Sequence, residues 1–173
     1  MKKMMKKGLA ALLLAGIAAC MPMQALAVTA QYSTTQAFLD AMDAEQLRYT
    51  WKGVDNDGDE RVEVSFNGDN MSAIKTIWFF DQDLDRVSVR VWDVIKYDGS
   101  AIDQLYPSLN KVNADYKFVC FYADDYDDTV TAKVDAEITP ESAGTTCVNL
   151  LFTVVNITDE AYTTLAPYDT DGN

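Results

Sequence analysis

Residues 55 to 60 read DNDGDE, which puts Asp55, Asp57 and Asp59 at every second position. Carboxylates so spaced can offer oxygens to a hard cation such as calcium. An EF-hand loop takes ligands from positions 1, 3 and 5, requires glycine at 6, and closes the shell with a bidentate glutamate at 12. Counted from Asp55, the first three are in place, but position 6 is Glu60 and position 12 is Phe66. A hairpin asks instead for residues that tolerate positive φ, and Asp57-Gly58 between two alternating runs supplies them. The expected role is therefore a turn, with Asp55, Asp57 and Asp59 kept as candidates for a weak extracellular calcium site. Asp81, Asp83 and Asp85 read the same way, as does the cluster Asp124, Asp125, Asp127 and Asp128: water-facing bends between strands. The bends at Asp55 and Asp81 are expected at opposite ends of the sheet, too far apart to share an ion.

The chain has no histidine, which removes His-dependent triads, His general bases and His-ligated metals. Cys120 and Cys147 can pair in an exported protein, or can be buried thiols that act as small apolar residues. Thiol catalysis lacks an imidazole to activate it. Carboxylates are plentiful, but a glycosidase-type hydrolase needs two of them facing each other in a cleft. Trp51, Trp78 and Trp92 fall on expected strands. As a sugar platform they would have to project together from an uncovered face, and core packing is the plainer role. No catalytic residue is assigned and no cofactor is expected.

Four lysines, then twelve small or apolar residues from Gly8 to Ala19, then a short polar stretch make residues 1–27 a secretory signal peptide. Ala25-Leu26-Ala27 fits cleavage after Ala27, which Pro22 favours; Ile17-Ala18-Ala19-Cys20 resembles a lipobox, in which Cys20 would be lipidated. The apolar run is short of the ~20 residues a membrane helix needs, and no later stretch reaches that length. Cleavage after Ala27 leaves 146 of 173 residues, one domain by length. The formal net charge of −13 becomes −17 once the four leader lysines are removed, a surface that repels nucleic acid and anionic lipid.

The elements follow from periodicity. Ser33-Thr34-Thr35 offers hydroxyl caps, and Phe38, Leu39 and Met42 recur at helical spacing, so a helix is expected over about Thr35 to Glu45. Val62, Val64 and Phe66 alternate with Arg61, Glu63 and Ser65, the pattern of a half-buried strand. KTIWFF and RVSVRVWDV flank DQDLD as a hairpin, completing a three-strand meander. Ile102, Leu105, Leu109 and Val112 share one side of a helix within residues 100–114, where Pro107 implies a kink or a later start. YKFVCFYA and TVTAKVDAEI pair around DDYDD. Thr139-Pro140-Glu141 has the order of cap, N1 proline and early acid, and opens a last helix with Cys147, Leu150, Leu151, Val154 and Val155 as its apolar stripe. The order α-β-β-β-α-β-β-α predicts an α+β fold, an antiparallel sheet with helices covering one face. Residues 28–34 read as a linker, and residues 167–173 as a loose polar tail.

In LNKVNADYKFVCFYADDYDDTVTAKVDAEI, Leu109 and Asn110 end a helix and Asn113 follows. A strand with Tyr116 and Phe118 then leads through an acidic turn to a strand with Val130 and Val134. Cys147 and Asp159-Glu160-Ala161-Tyr162 lie in the last helix, and a DGD turn follows the first strand. This pattern resembles the YbjN family over about residues 35 to 166. The resemblance implies a small acidic domain similar to type III secretion chaperones, often dimeric, without enzymatic activity, in a family described loosely as sensory transduction regulators. It carries over no catalytic residue, and an export signal is a departure from those cytoplasmic chaperones. The expectation is a non-catalytic exported protein, periplasmic or secreted, that binds a peptide or protein, with a homodimer as one arrangement. A calcium-stabilised binding module and a small carboxylate hydrolase are the alternatives.

Overall fold

The computed structural model describes residues 28–172. The signal peptide, the cleavage point after Ala27 and Cys20 lie outside the described residues. Helix α1 spans Ser33–Ala44 and turns Phe38, Leu39 and Met42 into the core. The hydroxyl caps expected there are not used: the N-cap is Tyr32, and the Thr34 and Thr35 hydroxyls are buried without a hydrogen bond. Glu60 instead anchors the residues that lead into the helix. Its carboxyl group is fully enclosed and accepts from the Gln31 and Tyr32 amides and from Trp51 Nε1, each at 2.8 Å. An acid at the amino end of a helix also meets the favourable end of its dipole. The segment 28–34, expected as a linker, is thereby fixed, and Ser33 and Thr34 belong to the helix.

Strands β1 (Thr50–Val54), β2 (Glu60–Phe66), β3 (Ile74–Phe80) and β4 (Arg86–Lys96) form an antiparallel meander of four strands in place of the expected three. The additional strand is β1. A bulge between Trp51 and Gly53, with Gly53 at φ +79°, breaks its ladder and erases the alternation by which a strand is recognised. After a 3-10 turn at Gly99–Ala101, helix α2 (Ile102–Asp115) buries Leu105, Leu109 and Val112. The helix starts after Ser100 yet still contains Pro107, which leaves the Asp103 carbonyl without its usual amide donor.

Strands β5 (Cys120–Asp124) and β6 (Thr129–Glu137) make a hairpin, and β6 docks on β4, giving the order β1-β2-β3-β4-β6-β5. Helix α3 (Ala143–Leu165) completes the helical layer. Thr139-Pro140-Glu141 forms a separate turn before it, because the Ser142 and Ala143 amides both donate to the Thr139 carbonyl. The tail is tied down: Thr170 N donates to the Lys96 carbonyl at 2.8 Å, and Tyr162 Oη donates to Asp169 at 3.0 Å.

Val62, Trp78, Val89 and Val134 are successive register partners across four strands and all are buried, which defines the covered face. Phe38 meets Trp78 with ring centroids 4.7 Å apart, and Trp78 Nε1 donates to Thr76 Oγ1, so the largest core side chain leaves no polar atom unpaired. Helices α1 and α3 approach closely at Gly144, where a Cβ would lie 2.7 Å from the Ala37 carbonyl oxygen. The fold is α+β, a six-stranded antiparallel sheet with its helices on one face. No helix among the described residues is long and apolar enough to cross a membrane.

Candidate functional site

The acidic turns come first, because they raise the question of a metal. Asp55 Oδ1 is occupied within its own bend: it accepts from Asp57 N at 3.0 Å and Asp59 N at 3.1 Å, while Gly58 takes φ +92°. Burial, then the charges of Asp55, Asp81 and Asp57, push the Asp59 carboxyl above the usual carboxylate range. The bends at Asp55 and Asp81 therefore share one end of the sheet, contrary to the expectation, because the reversal at residues 67–73 adds a turn between them. Even so, no three His, Cys, Asp or Glu side chains among the described residues are grouped to hold a metal ion. At the opposite end, Asp124 accepts from Tyr126 N and Asp127 from Thr129 Oγ1, so these acids also shape a hairpin tip.

Cys120 and Cys147 are both free, and of the two expected arrangements neither is met in full: they are not paired, and only Cys147 is a buried thiol, Cys120 being exposed. Cys120 is the register partner of Lys133 on the outward side of the sheet, whereas Cys147 sits in the core under the other side. The sheet separates them, and disulfide geometry requires Cα atoms within ~7 Å. Burial pushes the Cys147 thiol up to about 12, so it remains a protonated apolar filler. The three tryptophans form no common platform, since Trp78 is in the core, Trp51 is bound to Glu60, and Trp92 faces outward alone. A cleft of about 480 Å³ collects Asp93, Lys96, Asp127, Asp169 and Asp171. Within it Asp127 holds Thr129, and Asp169 accepts from Tyr162 Oη and the Lys96 amide, so two of its acids organise the chain.

The uncovered face of the sheet is the more informative surface. Register places Arg61 beside Phe79, Ile77 beside Arg90, and Arg90 beside Lys133. The Arg61 guanidinium lies over the Phe79 ring at 5.1 Å from its centroid, and Phe79 meets Trp92 edge to face at 6.0 Å. Trp92 takes this side by continuing the outward alternation of Ser88 and Arg90, and the β4 ladder with β6 is interrupted around it, between Val91 and Ile95, with Asp93 at φ +54°. Ile77 is outside the main core and yet only 3% exposed, so its neighbours on this face shield it. Trp92 itself is 44% exposed. The result is a shallow apolar centre, uncovered by any helix among the described residues.

Charge is arranged around that centre. Lys52 and Lys75 reach Glu63 at 3.1 and 3.8 Å, and Arg90 and Lys133 reach Asp135 at 3.1 and 3.0 Å. Burial raises the Asp135 carboxyl, but hydrogen bonds from Ser88, Lys133 and Arg90 outweigh it and hold the group below its ordinary value. Arg86 and Glu137 pair in register at one end. By register the strands put seven basic residues on this face (Lys52, Arg61, Lys75, Arg86, Arg90, Lys96, Lys133) against four acidic ones (Glu63, Asp124, Asp135, Glu137). Ten basic and 27 acidic residues remain in the whole chain beyond the leader. An acidic protein has concentrated most of its cations on one surface. Sequence reasoning missed this because it assigned residues to faces strand by strand and did not add up the charge across neighbouring strands. No protein-family model matches the chain, and no curated protein matches it either.

Proposed function

We propose that this chain is a non-catalytic, exported binding protein of YbjN-like type whose uncovered sheet face takes a peptide or protein segment. The observation that carries the reading is the Arg61–Phe79–Trp92 row, an aromatic centre left open on one side of a two-layer fold whose other side is closed by three helices. Apolar side chains grouped on a surface and rimmed by polar ones mark binding sites more often than isolated exposed residues do. Planar aromatics and arginine are also the side chains that contribute most to binding when buried by a partner. The resemblance to the YbjN family supports the same reading, since that family has no catalytic motif and is similar to secretion chaperones.

The test is panning of a displayed random peptide library against the tag-purified chain lacking residues 1–27, with the Trp92→Ser chain as the counter-selection. Trp92 lies outside the core, so its loss leaves folding intact by circular dichroism. Peptides retained by the natural chain and released about tenfold more readily by Trp92→Ser are the expected result. A library that yields the same pool on both proteins would sink the reading.

A further inference from the structure

Resting on that reading, we infer that the segment taken by the uncovered face is acidic and carries one aromatic or large apolar anchor. The face has an excess of three positive charges on a chain whose mature net charge is −17. Its cations flank the apolar centre on both sides: Lys52, Arg61 and Lys75 on β1 to β3, Arg90 and Lys133 on β4 and β6. Glu63 and Asp135 neutralise part of this charge while holding the cations in place, and Lys75 and Lys133 keep 58% and 40% of their side chains exposed. An anchor seated beside Trp92 would bring flanking carboxylates within reach of exposed ammonium groups and of the Arg61 and Arg90 guanidiniums, whose planar fork suits carboxylates.

Charge also excludes other occupants. Two copies cannot pair through this face against itself, because like charge would meet like charge. A long polyanion such as nucleic acid or an anionic bilayer would extend past the ends of the strands, which span roughly 23 Å at ~3.3 Å for each of the seven residues of β2 or β3. There it would meet the acidic bends at both ends of the sheet. A short acidic segment meets only the basic region. The chain itself displays this chemistry at the β5–β6 tip, where Tyr126 is 95% exposed between two pairs of aspartates. That stretch supplies a ready probe.

A fluorescent peptide of sequence ADDYDDT is titrated against the tag-purified chain without residues 1–27, beside its ANNYNNT analogue, and the pool from library panning is sequenced. Binding by the acidic peptide about tenfold tighter than by the amide analogue, weakening as salt is raised, is expected, together with a pool rich in aspartate and glutamate. Lys75→Glu combined with Lys133→Glu should abolish the difference, and both side chains are exposed enough to leave the fold unchanged. Lys111→Glu, on α2 behind the sheet, should have no effect. An enriched pool that is neutral or basic and indifferent to salt overturns this inference while leaving the binding reading standing. No enrichment at all removes both. Concentration-dependent assembly of the chain alone, lost in Tyr126→Ala, would assign the face to a second copy and overturn its assignment to a foreign segment.

Discussion

Glu60 and Asp159 are carboxyl groups enclosed by the fold, and both meet N–H donors where a buried acid would more often meet a cation. Asp159, near the end of α3, accepts from the Asp69, Asn70 and Met71 amides at 2.9 to 3.1 Å and from Asn70 Nδ2 at 3.0 Å. It therefore clamps the β2–β3 reversal onto the helix. Gly68 is required beneath it, since a Cβ there would fall 1.9 Å from Asp159 Oδ1. Burial raises the Asp159 carboxyl, but the four hydrogen bonds outweigh it and hold the group below its ordinary value. For an acid whose folded value is depressed, the stabilisation is complete above the unfolded value of ~3.9 and is lost as pH falls through the lower folded value. Asp159→Asn turns an amide NH₂ towards donors and should cost about 2 kcal/mol at pH 7. Urea denaturation from neutral pH down to about pH 2 should show the natural chain and the variant converging below the ordinary carboxylate range. Parallel curves across that range would show that Asp159 contributes no charged-group stability.

At the level of elements, the sheet has two edges, and they are protected differently. On β5 the Asn113 side chain acts as a substitute strand: its Oδ1 accepts from Phe121 N and its Nδ2 donates to the Phe121 carbonyl, both at 2.8 Å. An exposed edge with free amides and carbonyls invites pairing with other chains, and this amide plugs the middle of it. Asn113→Ala should destabilise by roughly 1 to 2 kcal/mol and raise the light-scattering mass with concentration, whereas Asn110→Ala should do neither. Unchanged stability and mass would mean that the plug is idle. Asn113 stood out in sequence as part of a pattern, but nothing in its neighbours indicated that a helix would lean over an edge strand. Legibility elsewhere had similar limits. The alternation of β2, β4 and β6 identified those strands, because β2 and most of β4 bury one side only and the apolar residues of β6 recur at every second position, although Thr129 and Thr131 between them are buried as well. β1 was implied by the turn at Asp57-Gly58 and by Trp51 but left out of the strand count, since Gly53 shifts the register and every residue but Gly53 is exposed. Glu60 and Asp159 were readable in principle as acids at inward positions of apolar patterns. The Arg61–Phe79–Trp92 row was not, because it depends on registers between three strands.

For the molecule as a whole, the fold must hold a net charge of −17 together while two acidic bends share one end of its sheet and a third sits at the other. Unfolding lets these charges separate, so self-repulsion favours the unfolded chain. Screening acts in the opposite sense. At physiological ionic strength the Debye length is about 8 Å, and at 1 M it is about 3 Å, so added salt removes repulsion between separate bends first. The paired cations of the uncovered face lie within contact distance and lose little, and exposed pairs contribute ~0 to 1 kcal/mol in any case. Sodium chloride should therefore raise the melting midpoint, by about 2 to 4 °C for each kcal/mol relieved in a chain of this size. The same experiment separates screening from a specific ion. Calcium and magnesium chloride at equal millimolar concentration should shift the midpoint alike, because Asp55 is committed to amides of its own turn and no three acids converge among the described residues. A ligand bound only by the folded state would instead raise it with its own concentration. A rise with calcium alone, reversed by chelator and abolished in Asp55→Asn or Asp59→Asn, would return the first bend to the role of a cation site.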